Sequence, residues 1–171
     1  AYTDLPKNDF VDAFVIADYL RFGRIAKEVY MDDYRYQALR TLTRARFDVI
    51  QNLSREKQRF ANYLFLKCSG IAQDKDIQNT SATTIALMER FETVDDLANA
   101  DLEELTAFID EKGRNFADPA AKANAIRSAA RDSYRLPVTV NNSVNQAMAV
   151  SIASMRALEK QVKVLDKAIE H

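Results

Sequence analysis

The sequence has no tryptophan, one cysteine, one histidine, three glycines and three prolines in 171 residues, and each shortage excludes something. A single cysteine, Cys68, can form neither an internal disulfide nor a thiolate cluster, which fits a reducing cytosol. The one histidine, His171, is the last residue, so no histidine-based triad or zinc site can be built within the chain. No apolar run approaches the ~18 residues of a membrane span, and no signal-peptide pattern opens the chain, so a cytoplasmic protein is expected. Charge of one sign is missing too. Twenty-four Lys and Arg against 25 Asp and Glu leave a net charge of -1, which neither requires nor forbids a polyanionic partner.

What is present is helical. Hydrophobic residues make up 47% of the chain, enough for a real core, and almost nothing alternates with the period of two that marks a half-buried strand. The pattern predicts an all-α fold. A first helix is expected over residues 9–22, stopped by Gly23, and a long one over residues 33–69, stopped by Gly70. In the long helix Leu39, Leu42, Val49, Leu53, Phe60 and Leu64 fall on one stripe at 3.6 residues per turn.

Shorter helices follow with readable starts: Thr80 or Ser81, then Thr93 with Asp96, Asp101 with Glu104, and Asp118 before Pro119. Pro137 interrupts the pattern, and residues 141–143 are expected to cap a final long helix. In that helix Met155, Leu158, Val162, Leu165 and Ile169 recur at spacings of 3, 4, 3 and 4. Two long helices separated by short ones predict an antiparallel, coiled-coil-like stalk with a cluster of short helices between its arms. A helix over residues 33–69 would be about 55 Å long, too long for the short helices to cover its seam, so a homodimer through the long helices is expected.

Charge is distributed unevenly. Between Arg21 and Lys67 there are eleven bases and five acids; between Asp74 and Lys112, eleven acids and three bases. On the long helix Arg40, Arg44, Arg55 and Arg59 share a face opposite the apolar stripe, a row that can follow a phosphate backbone or simply be a solvated helix face. Tyr30, Tyr34 and Tyr36 lie beside this stretch and are better read as covering the junction between the first two helices than as stacking platforms. The acidic middle reads as a solvated surface that repels phosphate.

Asp9 and Asp12 stand three residues apart at the opening of the first helix, so both project from one side. Two readings remain open. They cap and stabilise the helix start by roughly 0.3–1 kcal/mol each, or they hold a divalent cation together with further oxygen ligands.

The segment Pro6-Lys7-Asn8-Asp9-Phe10-Val11-Asp12-Ala13-Phe14-Val15-Ile16-Ala17 resembles the Lys-x-Asp-x-x-Asp-Ala-x-x-Ile-Ala segment of the DEDD transposases of the insertion sequence 110 type. Tyr36-Gln37-Ala38-Leu39-Arg40, then Arg44, Arg46, Lys57, Arg59 and Gly70, is similar to the helix that follows in that family. The closing heptads are similar to the helix before its C-terminal domain. The resemblance implies a bacterial DNA transposase or recombinase whose RuvC-like domain binds Mg2+ through four acidic residues. Asp9 and Asp12 match the third and fourth, and are therefore the expected catalytic and metal-binding residues. It further implies DNA as partner, with a guide RNA as a second nucleic-acid partner. The expected organisation is a C-terminal remnant of a RuvC-like domain over residues 1–30 and a helical coiled-coil domain over residues 31–171. On this reading the chain is an internal fragment, inactive alone, because the other two acids and a domain with a catalytic serine lie outside it. The competing expectation is a non-catalytic coiled-coil scaffold or dimerisation module.

Overall fold

A computed structural model describes residues 9–23, 34–113 and 117–170. Pro6, Lys7 and Asn8 of the opening motif, Tyr30, Asp33 as the expected start of the long helix, the expected boundary between residues 30 and 31, and His171 lie outside the described residues. Those residues form eight α-helices and no strand: α1 (Asp9–Arg21), α2 (Tyr34–Lys67), α3 (Ser69–Gln73), α4 (Ala82–Arg90), α5 (Val94–Ala98), α6 (Leu102–Lys112), α7 (Pro119–Arg131) and α8 (Val138–Glu170). The chain divides into two compact units, Ala1–Arg40 and Thr41–His171, so α2 contributes its first turns to one and the rest to the other.

In the first unit, α1 ends where the sequence says it should. Gly23 adopts φ +59°, the left-handed conformation that ends helices, and its amide donates to the Leu20 carbonyl at 3.1 Å. No residue of α1 is buried. Phe10 is 82% exposed, and Phe14, Ile16 and Leu20 are exposed as well. A helix with an apolar surface of this kind is not stabilised by its own packing.

The second unit is built on an antiparallel pair. Arg46 of α2 forms an ion pair with Asp166 of α8, the Ser151 hydroxyl donates to the Glu56 carbonyl at 3.5 Å, and Lys67 shares a cavity with Met148. As numbers rise along α2 they fall along α8, which fixes the direction. Between the arms α3 to α7 form a compact cluster in which α7 packs on α3, α5 and α6, and α4 on α6. The core lies at this end, where Phe60 and Leu64 of α2 and Met148, Ile152 and Met155 of α8 meet Ile71, Leu87, Leu97, Leu105, Ile109 and Ile126. Farther along the pair the stripe is only half covered: Leu42, Val49 and Leu53, and opposite them Leu158, Val162, Leu165 and Ile169, are half-buried, while Leu39 in the first unit stays exposed.

The short helices start at their expected caps. Ser81 Oγ accepts from the Thr84 amide, Thr93 and Asp96 form a reciprocal capping box, Asp101 accepts from the Glu103 and Glu104 amides, and Asp118 accepts from the Ala121 amide ahead of which Pro119 opens α7.

Two boundaries differ from expectation. The long helix stops at Lys67, before Ser69 and Gly70, because Cys68 turns out of helical geometry at φ −145°, ψ 77°. Gly70 then lies inside α3, where its amide donates to Ser133 Oγ at 2.9 Å. Pro137 does not hold the final helix back to residue 141. α8 begins at Val138, with the Pro137 carbonyl accepting from the Val140 and Asn141 amides, since a proline with fixed φ and no amide hydrogen is suited to a helix start. Asn141 is therefore not a cap. Its side chain is buried, and with Asn145 it donates to the Glu92 carbonyl, at 3.1 and 2.9 Å, holding the α4–α5 connection against α8.

Candidate functional site

Asp9 and Asp12 occupy the first turn of α1. Three residues apart on a helix, they share a side, and both are exposed. Carboxylate oxygens are the right donors for a hard divalent cation, but two are an incomplete set, since such an ion takes about six oxygen ligands. Among the described residues no group of three or more His, Cys, Asp or Glu comes together that could hold a metal ion. The pair fits in kind and supplies only part of a site; the same two residues also suit the helix dipole, which favours negative charge at the start.

The four arginines are all exposed on α2, Arg40 in the first unit and Arg44, Arg55 and Arg59 in the second. Their surroundings differ. Arg44 has no partner among the described residues. Arg55 makes one long contact, 3.4 Å to Asn52 Oδ1. Arg59 donates at 2.9 Å to the buried carboxylate of Glu56, one turn back, so part of its charge is already compensated. Arg55 and Arg59 line a shallow polar groove of about 370 Å³ between α2 and α8, whose far wall is Ser154, Ala157, Leu158 and Gln161. The groove also holds the Glu56 carboxylate, so of its two guanidinium groups Arg55 is the freer to donate to phosphate oxygens, its planar fork matching two at once.

Arg46 stands close to these residues in sequence but serves a different purpose. Two positions beyond Arg44 it points to the other side of the helix, where it pairs with Asp166 and ties the arms together. Tyr34 and Tyr36 are exposed, at 74% and 60%, and the helix junction they were expected to cover, residues 24–33, lies outside the described residues.

The role of Lys67 has no signal in the sequence beyond its position on the apolar stripe of α2. The last residue of α2, it is 3% exposed, and its amine donates to the carbonyls of Met88 at 3.1 Å and Phe91 at 2.6 Å, the free acceptors at the end of α4. Burial pushes its pKa down from 10.5 to about 8, although Cys68, Glu92 and Asp96 pull the other way. An amphipathic period marks position 67 as buried, but only the fold shows that the end of another helix waits there with unpaired carbonyls. Cys68 beside it is buried with Sγ 3.3 Å from Ser133 Oγ, and burial raises its thiol pKa.

None of the described helices is long and apolar enough to cross a membrane. Residues 1–67 match the family model of the DEDD transposases of the insertion sequence 110 type, described as a transposase. No curated protein and no solved structure matches the chain. The matched segment contains Asp9, Asp12 and all four arginines, and it closes at Lys67, the residue on which α2 also closes.

Proposed function

We propose, from the match of residues 1–67 to this transposase family, that the chain is part of a bacterial DNA transposase or recombinase acting in the cytoplasm. Asp9 and Asp12 supply two of the acidic ligands of a RuvC-like site, with the remaining acids contributed by other parts of the parent protein. Such a set would hold magnesium, whose charge would serve to organise the scissile phosphate and the attacking oxygen. The work of these two residues is to present carboxylate oxygens from one side of α1, close enough in sequence to share one ion.

The helical unit serves as an arm. Its α2 arginines contact nucleic acid, whether DNA or a guide RNA, and the half-covered stripe along α2 and α8 is closed by a second copy in a homodimer. The observation that carries the reading is the coincidence of the family match with the arginine-bearing helix: both end at Lys67. The non-catalytic scaffold remains the rival, and it draws on the incomplete acid set.

Binding of duplex DNA across a salt series separates the two. The arm should bind at low salt and lose affinity steeply as salt rises, with log affinity falling by about 0.9 per phosphate neutralised. An Arg40/Arg44/Arg55/Arg59 to Ala variant should show a slope shallower by about two to four, with Arg59 contributing least because Glu56 already holds it. No binding at low salt, or an unchanged slope in the variant, would leave the scaffold as the better account.

A further inference from the structure

The shallow polar groove beside Arg55 and Arg59 continues along the α2–α8 pair. Beyond it, Val49 of α2 and Ala157, Lys160, Gln161, Val164 and Leu165 of α8 line an apolar hollow of about 470 Å³. Ala157 and Gln161 border both, so the two make one groove on a single side of the pair. From Val49 to Arg59 it runs for about 15 Å, at ~1.5 Å per residue. One bank is the arginine face of α2; the other belongs to α8 and is met only when the arms lie side by side.

The charge of this groove is positive and largely uncommitted. Arg55, Arg59 and Lys160 line it against one acid, Glu56, which Arg59 already engages. Asp48, Glu159 and Asp166, the other acids of these stretches, do not line it. Arg55 has only its 3.4 Å contact with the neutral amide of Asn52, and Lys160 forms no ion pair among the described residues. Neither has a carboxylate three or four positions away on its own helix. Arg55 neighbours Gln51, Asn52, Gln58 and Arg59, and Lys160 neighbours Arg156, Ala157, Lys163 and Val164.

Between the two cations the floor is apolar, with Val164 59% exposed, and Asn52, Ser154 and Gln161 set amide and hydroxyl groups into it. A duplex hides the faces of its bases and would bring phosphates to this floor. A third helix would lay its apolar stripe against the amides and leave them unpaired. An unpaired strand suits every part of the groove: base faces lie on Ala157 and Val164, base edges reach the amides of Asn52 and Gln161, and phosphates reach Arg55 and Lys160.

We propose that this groove binds a short stretch of single-stranded nucleic acid, with Lys160 and Gln161 of α8 as the bank that faces Arg55 and Asn52 of α2. The inference rests on the proposed nucleic-acid role of the arm and narrows its partner to unpaired nucleotides. A second copy of the chain is then left the other side of the pair, where Arg46 meets Asp166. The groove contains no aromatic ring, so stacking is weak and sequence preference slight.

The test is fluorescence anisotropy of the 171-residue chain with a labelled oligothymidine of about ten nucleotides and with a duplex of the same length. At equal salt the strand should bind about fivefold more tightly than the duplex. Lys160→Gln should flatten the salt dependence of strand binding by about 0.7, the share of one single-strand phosphate. Lys163→Gln removes the same charge from outside the groove and should leave that slope unchanged. Val164→Asn, at an exposed position, should weaken the strand severalfold and leave the duplex as it was. Tighter binding of oligouridine than of oligothymidine assigns the groove to RNA, the reverse assigns it to DNA, and equal binding means that the sugar is not read.

Duplex binding as tight as the strand's or tighter, or a folded Lys160→Gln variant with an unchanged slope, overturns the inference. The proposed role of the arm survives that loss if the Arg40/Arg44/Arg55/Arg59 to Ala variant still flattens the duplex slope. Binding of neither strand nor duplex overturns both.

Discussion

Replacing Gly70 with alanine will destabilise the helical unit by about 3 kcal/mol or more, because the added methyl has nowhere to go. A Cβ on Gly70 would stand 2.0 Å from the Ala129 carbonyl oxygen and 2.8 Å from its carbon, with Ser133 Oγ at 3.0 Å. The obstacle is backbone of α7, which cannot swing aside as a side chain can. Moving α7 would also disturb the Gly70 amide bond to Ser133 and the Cys68 contact beside it. Urea unfolding should show a lower midpoint with an unchanged slope. Gly23 supplies the contrast. Nothing lies within 4 Å of its Cβ position, so Gly23→Ala meets only the strain of φ +59°, about 1–2 kcal/mol, and falls in the first unit. A loss below about 1 kcal/mol for Gly70→Ala would mean that α3 and α7 do not approach as described.

The second large effect is a pH dependence set by Lys67. Its folded pKa of about 8 lies below the ordinary 10.5, so between those values the unfolded chain holds more protons than the folded one. Stability therefore rises with pH across this window, by about 3 kcal/mol for a shift of this size. Below pH 8 the amine is charged in both states, and the cost of burying that charge is borne in full. Cys68 works in the opposite direction. Its raised thiol pKa means that the unfolded chain ionises first, and stability is lost above the ordinary pKa of 9.0. The quantity to measure is the difference between the parent and Lys67→Met, from which the Cys68 contribution largely cancels. That difference should grow in favour of the parent by about 3 kcal/mol from pH 7 to pH 10.5. A flat difference would mean that the Lys67 ammonium is not desolvated against Met88 and Phe91.

What the sequence revealed and what it concealed follow from the range of the interactions. Thr93 with Asp96, Asp101 and Asp118-Pro119 were legible because a cap is satisfied by the next three residues, and no distant group is consulted. The antiparallel arms were legible from the seams of α2 and α8, since two long stripes joined through a compact cluster must fold back on each other. The end of α2 was not, because Gly70 reads locally as a helix terminator while its actual constraint is the approach of Ala129 from α7. Pro137 reads as a breaker until the chain before it is known to be non-helical, at which point it becomes an initiator.

At the candidate site the same distinction holds. Position on a helical wheel put Arg40, Arg44, Arg55 and Arg59 on one face, and that much is geometry of a single helix. Which guanidinium groups are already engaged depends on neighbours. Arg59 is held by Glu56 within its own helix, a contact the three-residue spacing permitted, whereas the pairing of Arg46 with Asp166 lies 120 residues away and has no local signal.

Asp9 and Asp12 are proposed to be metal-holding acids, and recombination by the full-length parent protein carrying Asp9→Ala or Asp12→Ala tests that role most directly. Capping alone would leave recombination near the parent level, since losing a helix-start carboxylate weakens α1 by only about 1 kcal/mol. Ligand roles predict that each substitution lowers recombination by about a hundredfold or more while DNA binding persists. Recombination at the parent rate in either variant would contradict the account.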